Sequence, residues 1–86
     1  MTYLVEFTAP AARQIRKLPP TVRGRLLTAV ATLADDPRPA GSRKLVGEQT
    51  AWRIRVGDCR VIYDVIDQAL AVTVVRAAHR REVYHR

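Results

Sequence analysis

The sequence predicts an α+β domain of order β-α-α-β-β-β, an antiparallel sheet meander with an N-terminal strand and a helix hairpin packed on one face. Three observations predict it. A short β-prone segment opens the chain. Two apolar stripes at helical spacing follow it. Three strand-like segments, parted by turn residues, fill the second half. At 86 residues, with 48% hydrophobic, the chain makes one domain over 1–86.

Thr2 to Phe7 reads as the first strand, with Tyr3, Val5 and Phe7 alternating with Leu4 and Glu6. Thr8 can cap a helix and Pro10 is tolerated in its first turn. Ala11, Ile15 and Leu18 form its apolar stripe. Pro19-Pro20 ends that helix, because neither proline offers an N–H, and Pro20 can open the next. There Val22, Leu26, Val30 and Leu33 form the stripe, and Asp35-Asp36-Pro37 closes the helix. So short a link folds two helices back on each other. Arg38 to Gly47 reads as a loop.

Ala51 to Val56, Cys59 to Ile66 and Leu70 to Arg76 are the remaining strands. Gly57-Asp58 fits a two-residue hairpin loop with glycine at the first central position of a type II′ turn. Asp67-Gln68 supplies the other turn, and Ala77 to Arg86 reads as a polar, basic end with room for a single helical turn at most.

Lys plus Arg count 15 against 8 Asp plus Glu, a formal charge of +7. Both halves carry the excess, so the folded body itself is cationic and suits a polyanion such as nucleic acid. Thirteen of the basic residues are Arg, whose planar fork grips phosphate bidentately. The single Cys59 excludes an internal disulfide. No charged segment leading into an apolar one opens the chain and no apolar run nears membrane-span length, so the cytoplasm is the expected compartment and no membrane is expected as a partner.

The hairpin fixes a charge cluster. If Gly57-Asp58 is the loop, Val56 pairs with Cys59, Arg55 with Arg60, Ile54 with Val61 and Arg53 with Ile62. Directly opposed residues point to the same side, so Arg53, Arg55 and Arg60 share one face while Trp52, Ile54, Val56, Val61 and Tyr63 line the other. Opposed like charges destabilise a sheet. Either the guanidinium groups splay into water beside Asp64 or another carboxylate, or they hold phosphate.

A second basic patch, His79-Arg80-Arg81 with Tyr84 and His85, follows the last strand. RNA cleavage needs a group that takes the proton of the attacking 2′-OH, one that stabilises charge on phosphorus, and one that protonates the departing 5′-oxygen. Arginine can do the second but not the first. A tyrosine, or a histidine at its ordinary pKa of ~6.5, can move protons. His79 and His85 can equally be exposed residues of the chain end. No metal-ligand spacing stands out: Asp35-Asp36 reads as a helix terminus and Asp64/Asp67 as a turn.

These segments, taken in order, resemble the RelE/ParE superfamily of type II toxins, and its RelE branch in particular. The likeness runs from Arg16-Lys17-Leu18-Pro19 through Thr21-Val22-Arg23 and Lys44-Leu45-Val46-Gly47. It is strongest over Trp52 to Ile66 and ends in His79-Arg80-Arg81-Glu82-Val83-Tyr84. The resemblance implies a toxin of a type II toxin–antitoxin system, a metal-independent endoribonuclease that cleaves mRNA on the ribosome and inhibits translation, with no cofactor. It implies catalytic roles for Arg53, Arg55, Arg60, Arg80 and Tyr84, and RNA binding by Lys44, His79 and Arg81. The RelE pattern has lysine where Arg53 and Arg55 stand, which leaves Tyr84 or His79 as the base. Implied partners are the ribosome with mRNA and a cognate acidic antitoxin, in an oligomeric complex that binds DNA through the antitoxin. The alternatives are a ParE-like DNA gyrase poison without nuclease activity and a non-catalytic nucleic-acid-binding module.

Overall fold

A computed structural model of the chain describes residues 2–79. Its elements run β1 (Leu4–Phe7), α1 (Ala9–Arg16), α2 (Pro20–Thr32), β2 (Arg43–Lys44), β3 (Ala51–Val56), β4 (Cys59–Ile66), a 3-10 turn (Asp67–Ala69) and β5 (Ala71–His79). They form one five-stranded sheet of order β1-β5-β4-β3-β2. β3, β4 and β5 are the expected antiparallel meander. The N-terminal strand joins it parallel, Val5 pairing with Val72 and Phe7 with Val74, so the sheet is mixed.

Local chemistry explains the helix ends. The Thr8 hydroxyl accepts from the Ala11 N–H at 3.3 Å, and Pro10 sits in the first turn of α1. Pro19 caps α2, its carbonyl accepting from the Arg23 N–H at 2.8 Å, and Pro20 occupies the first helical position. α1 packs against β5 and α2 against β3. Both helices bury their stripes on one face of the sheet. Ala11, Ile15, Leu18, Leu26, Val30 and Leu33 meet Ile54, Val61, Tyr63, Val65, Val72 and Val74 in a single core, with Val22 partly buried beside them.

Three boundaries differ from the sequence reading. The segment expected to be all loop contains β2, which lies across from Trp52 and Arg53. Two residues are too short for any periodic signal. The turn after β4 is a 3-10 turn closed by Leu70 in the left-handed region, at φ 50°. The last strand runs three residues past Arg76, with Ala77 and Ala78 buried. Small apolar residues beside a basic run resembled a polar end.

At the sheet end away from the β3–β4 hairpin, Arg38 holds Asp67 bidentately (2.7 and 3.2 Å) and the Tyr3 hydroxyl donates to the same carboxylate at 2.6 Å. Arg38, then Tyr3, hold the Asp67 carboxyl below its usual range. The Arg38 guanidinium also lies 5.4 Å from the Trp52 ring centre. This clasp ties β1, the α2–β2 connection and the β4–β5 turn together. Next to it, fully buried Tyr63 donates to the Pro37 carbonyl at 2.8 Å.

Burial pushes the Tyr63 hydroxyl up to about 12. The fold therefore favours its protonated form. That contribution is complete below the ordinary tyrosine value of ~10 and is lost as pH climbs toward the folded value. Tyr63→Phe should lower stability by about 1–3 kcal/mol at neutral pH, because the Pro37 carbonyl loses its donor. Stability should also decline less steeply above pH ~10 than in the wild type. Urea unfolding at neutral and alkaline pH checks both; an unchanged alkaline slope would contradict the assignment.

Candidate nucleic-acid interface

The candidate site is built by the β3–β4 hairpin. Gly57 has φ 59°, and Asp58 is not among the positive-φ residues, so the two-residue loop has the II′ pattern. That loop sets the register: Val56 opposite Cys59, Arg55 opposite Arg60, Ile54 opposite Val61 and Arg53 opposite Ile62. Ile54 and Val61 are buried under the helices. Arg53, Arg55 and Arg60 therefore lie on the face the helices leave uncovered.

Two further arginines join them. Arg43 of β2 pairs with Arg53, and Arg76 of β5 pairs with Ile62. Both are exposed. Arg76 reaches this face through a bulge. Tyr63 pairs with Val74 and Ile62 with Arg76, so Val75 is an extra residue on β5. Without it, Arg76 would lie opposite Val61 and point into the core. The sequence holds a trace of this: Val72 and Val74 are core residues, and strict alternation would bury Arg76 beside them. The nearly continuous apolar run from Leu70 to Val75 hides that alternation.

Among the described residues, the ion pair present joins Arg38 to Asp67, and none of these five arginines belongs to it. Asp64 lies on the same face, but its carboxylate accepts from the Thr50 hydroxyl at 3.0 Å. Among the described residues, then, no ion pair neutralises this face. A groove of about 550 Å³ opens beside it at the edge of β3, between α2 and residues 39–41, with Arg43, Arg53 and Arg55 in its wall.

The other expected residues divide. Lys44 pairs with Trp52, and His79 pairs with Cys59, one step out of phase with Arg60 and Ala78. Both side chains thus leave the backbone on the helix-bearing side, away from the arginines. Arg80, Arg81 and Tyr84 lie outside the described residues. Cys59 is buried. Among the described residues no cluster of three or more His, Cys, Asp or Glu is arranged to hold a metal ion, and no described helix is long and apolar enough to cross a membrane.

Comparison with known proteins places this geometry. Residues 5–84 match the family model for the ParE toxin of type II toxin–antitoxin systems. The chain belongs to the RelE/ParE superfamily of type II toxins. Within it, the toxin is similar to Toxin RelG of Mycobacterium tuberculosis, at 33% identity with all of both chains covered. It is 32% identical to the mRNA interferase toxin RelE of Escherichia coli K12, over 98% of this chain and 92% of that one. Its fold matches the toxin–antitoxin complex RelBE2 of M. tuberculosis with a TM-score of 0.83, at 28% identity over 93% of each chain. A RelE-type toxin thus presents an arginine face on the side of its sheet that the helices leave open.

Proposed function

We propose that this toxin cuts mRNA on the ribosome, without a metal, by attack of a 2′-OH on its own phosphate. The observation that carries the reading is the Arg55–Arg60 pair, two like charges set directly opposite each other beside Arg53. Folding alone disfavours that placement, and a scissile phosphate relieves it. The curated RelE relative is named an mRNA interferase, which points the same way.

Arg53, Arg55 and Arg60 hold the phosphate and stabilise the charge that builds on it. Arg80 and Tyr84 complete the set, with Tyr84 moving the proton, since His79 leaves the strand on the far side of the sheet. The 2′-oxygen–phosphorus bond forms as the phosphorus–5′-oxygen bond breaks. The 2′-OH proton passes to the base, and the departing 5′-oxygen takes one up. The products are a cyclic phosphate and a 5′-hydroxyl. The ribosome supplies the alignment, raising the effective concentration of the reacting groups, so free RNA should be cut slowly.

The test is mRNA on purified ribosomes. A discrete cut with a 5′-hydroxyl end supports the reading. The chain also matches the ParE toxin family, and the second reading is a ParE-like poison of DNA gyrase without nuclease activity. Intact mRNA together with trapped cleaved DNA would establish that instead.

The solved M. tuberculosis relative is a toxin–antitoxin complex, and we extend that to this chain: an acidic, partly apolar antitoxin covers it, in an oligomeric complex that binds DNA through the antitoxin. With a formal charge of +7 on the toxin, association should slow markedly as salt rises. Buried apolar area should make dissociation far less sensitive. Stopped-flow mixing at low and high ionic strength measures both rates, and a salt-independent association rate would remove the electrostatic argument.

A further inference from the structure

We propose that Arg43 and Arg76 extend the phosphate site into a row, so that the RNA backbone crosses the strands of the sheet instead of running along them. This rests on the reading of the chain as an RNA-cutting toxin and adds residues that the resemblance does not supply.

The row is a consequence of register. Arg43 lies opposite Arg53, Arg53 opposite Ile62, and Ile62 opposite Arg76. These residues stand side by side on four successive strands, β2, β3, β4 and β5. Three inter-strand spacings separate its ends, about 14 Å, enough for more than one nucleotide of extended backbone. Half-buried Ile62 stands between the arginines and offers a ribose or base an apolar rest.

Charge sets the direction. On the hairpin side of this row is the Arg55–Arg60 pair. On its other side the next rung is Ala51, Asp64, Thr73 and Glu6. A backbone laid along the strands would leave the arginines for a rung that carries no basic residue and holds Asp64 at its middle. One laid across them keeps its phosphates on arginine. The β5 bulge that brings Arg76 out of the core serves the same end, since a bulge re-aims a side chain at the cost of a ladder irregularity.

The experiment uses the full chain, a labelled mixed-sequence single-stranded RNA and fluorescence anisotropy over a range of potassium chloride. Each phosphate contact adds about 0.7 to the slope of log affinity against log salt for a single strand. Arg43→Gln and Arg76→Gln should each weaken binding several-fold and lower that slope by about 0.7, while Arg25→Gln, on exposed α2 surface, should leave it unchanged. RNAs with one phosphate neutralised as a methylphosphonate should then show that Arg43→Gln and Arg76→Gln lose sensitivity at different positions. Wild-type slopes in both variants, beside a reduced slope in Arg60→Ala, would overturn the row and leave the function standing. Variants that alter only binding of the acidic antitoxin would overturn it as well. A wild-type chain that binds RNA without salt dependence and cuts no ribosome-bound mRNA would overturn both.

Discussion

Replacing Arg60 with alanine should cut the rate of mRNA cleavage on the ribosome by at least about 100-fold, the usual cost of removing one donor aimed at developing charge. Its fold should survive. Arg60 is half-exposed and lies opposite Arg55, so its removal relieves a like-charge pair whose cost is about 0.2–1 kcal/mol. The melting temperature should therefore stay level or rise slightly. This opposition of effects is the signature of a residue placed for chemistry. Arg60→Lys should recover part of the rate, since a point charge remains, but not all, since the bidentate fork is lost. Single-turnover cleavage measured beside thermal unfolding checks both halves. A well-folded Arg60→Ala protein that cuts at the wild-type rate would remove Arg60 from the site.

The arginine face was legible in the sequence because a two-residue hairpin loop leaves no freedom of register. Once Gly57-Asp58 was recognised as the loop, the opposition of Arg55 and Arg60 followed by counting. The core was legible for a similar reason. The residues at Ala11, Ile15 and Leu18, and at Leu26, Val30 and Leu33, repeat at helical spacing, and all are buried. What counting could not supply was anything fixed by distant strands. The parallel pairing of β1 with β5 depends on where the chain returns after both helices. β2 exists only because Ala51 to Arg53 offer it an edge, as in the Leu45 N–H bond to the Ala51 carbonyl at 3.0 Å.

The bulge on β5 had the largest consequence for the site. A single extra residue exchanges the two faces for everything beyond it. It moves Arg76 onto the arginine face, Ala77 into the core and His79 to the helix-bearing side. Residues next to the arginine face in sequence can thus stand on the opposite side of the sheet. Lys44 shows the same at β2, where adjacent Arg43 takes the arginine side.

The largest loss of stability should come from Leu26→Ala. Leu26 is fully buried in α2 and packs in the same core as Val30, Val61 and Tyr63. Truncating it removes transfer free energy and leaves a cavity, about 2–5 kcal/mol together. A domain of 86 residues has only about 5–15 kcal/mol to lose, and its small size favours the low end. At roughly 4–8 °C per kcal/mol, the melting temperature should fall by at least about 8 °C. Leu26→Met, which keeps the volume, should cost less than about 1.5 kcal/mol. The functional consequence separates this variant from Arg60→Ala. Leu26 lies under the sheet, on the side away from the arginines, so the molecules that remain folded keep the intact site. Leu26→Ala should therefore cut mRNA at near the wild-type rate per folded molecule in the cold and lose activity steeply on warming. Binding of a partner to the folded state should restore its melting temperature in proportion to the logarithm of partner concentration. Arg60→Ala should be inactive at every temperature while remaining folded. Cleavage rates across temperature, normalised to the folded fraction from circular dichroism, resolve the two; a normalised Leu26→Ala rate as low as that of Arg60→Ala would mean that packing beneath the sheet shapes the site itself.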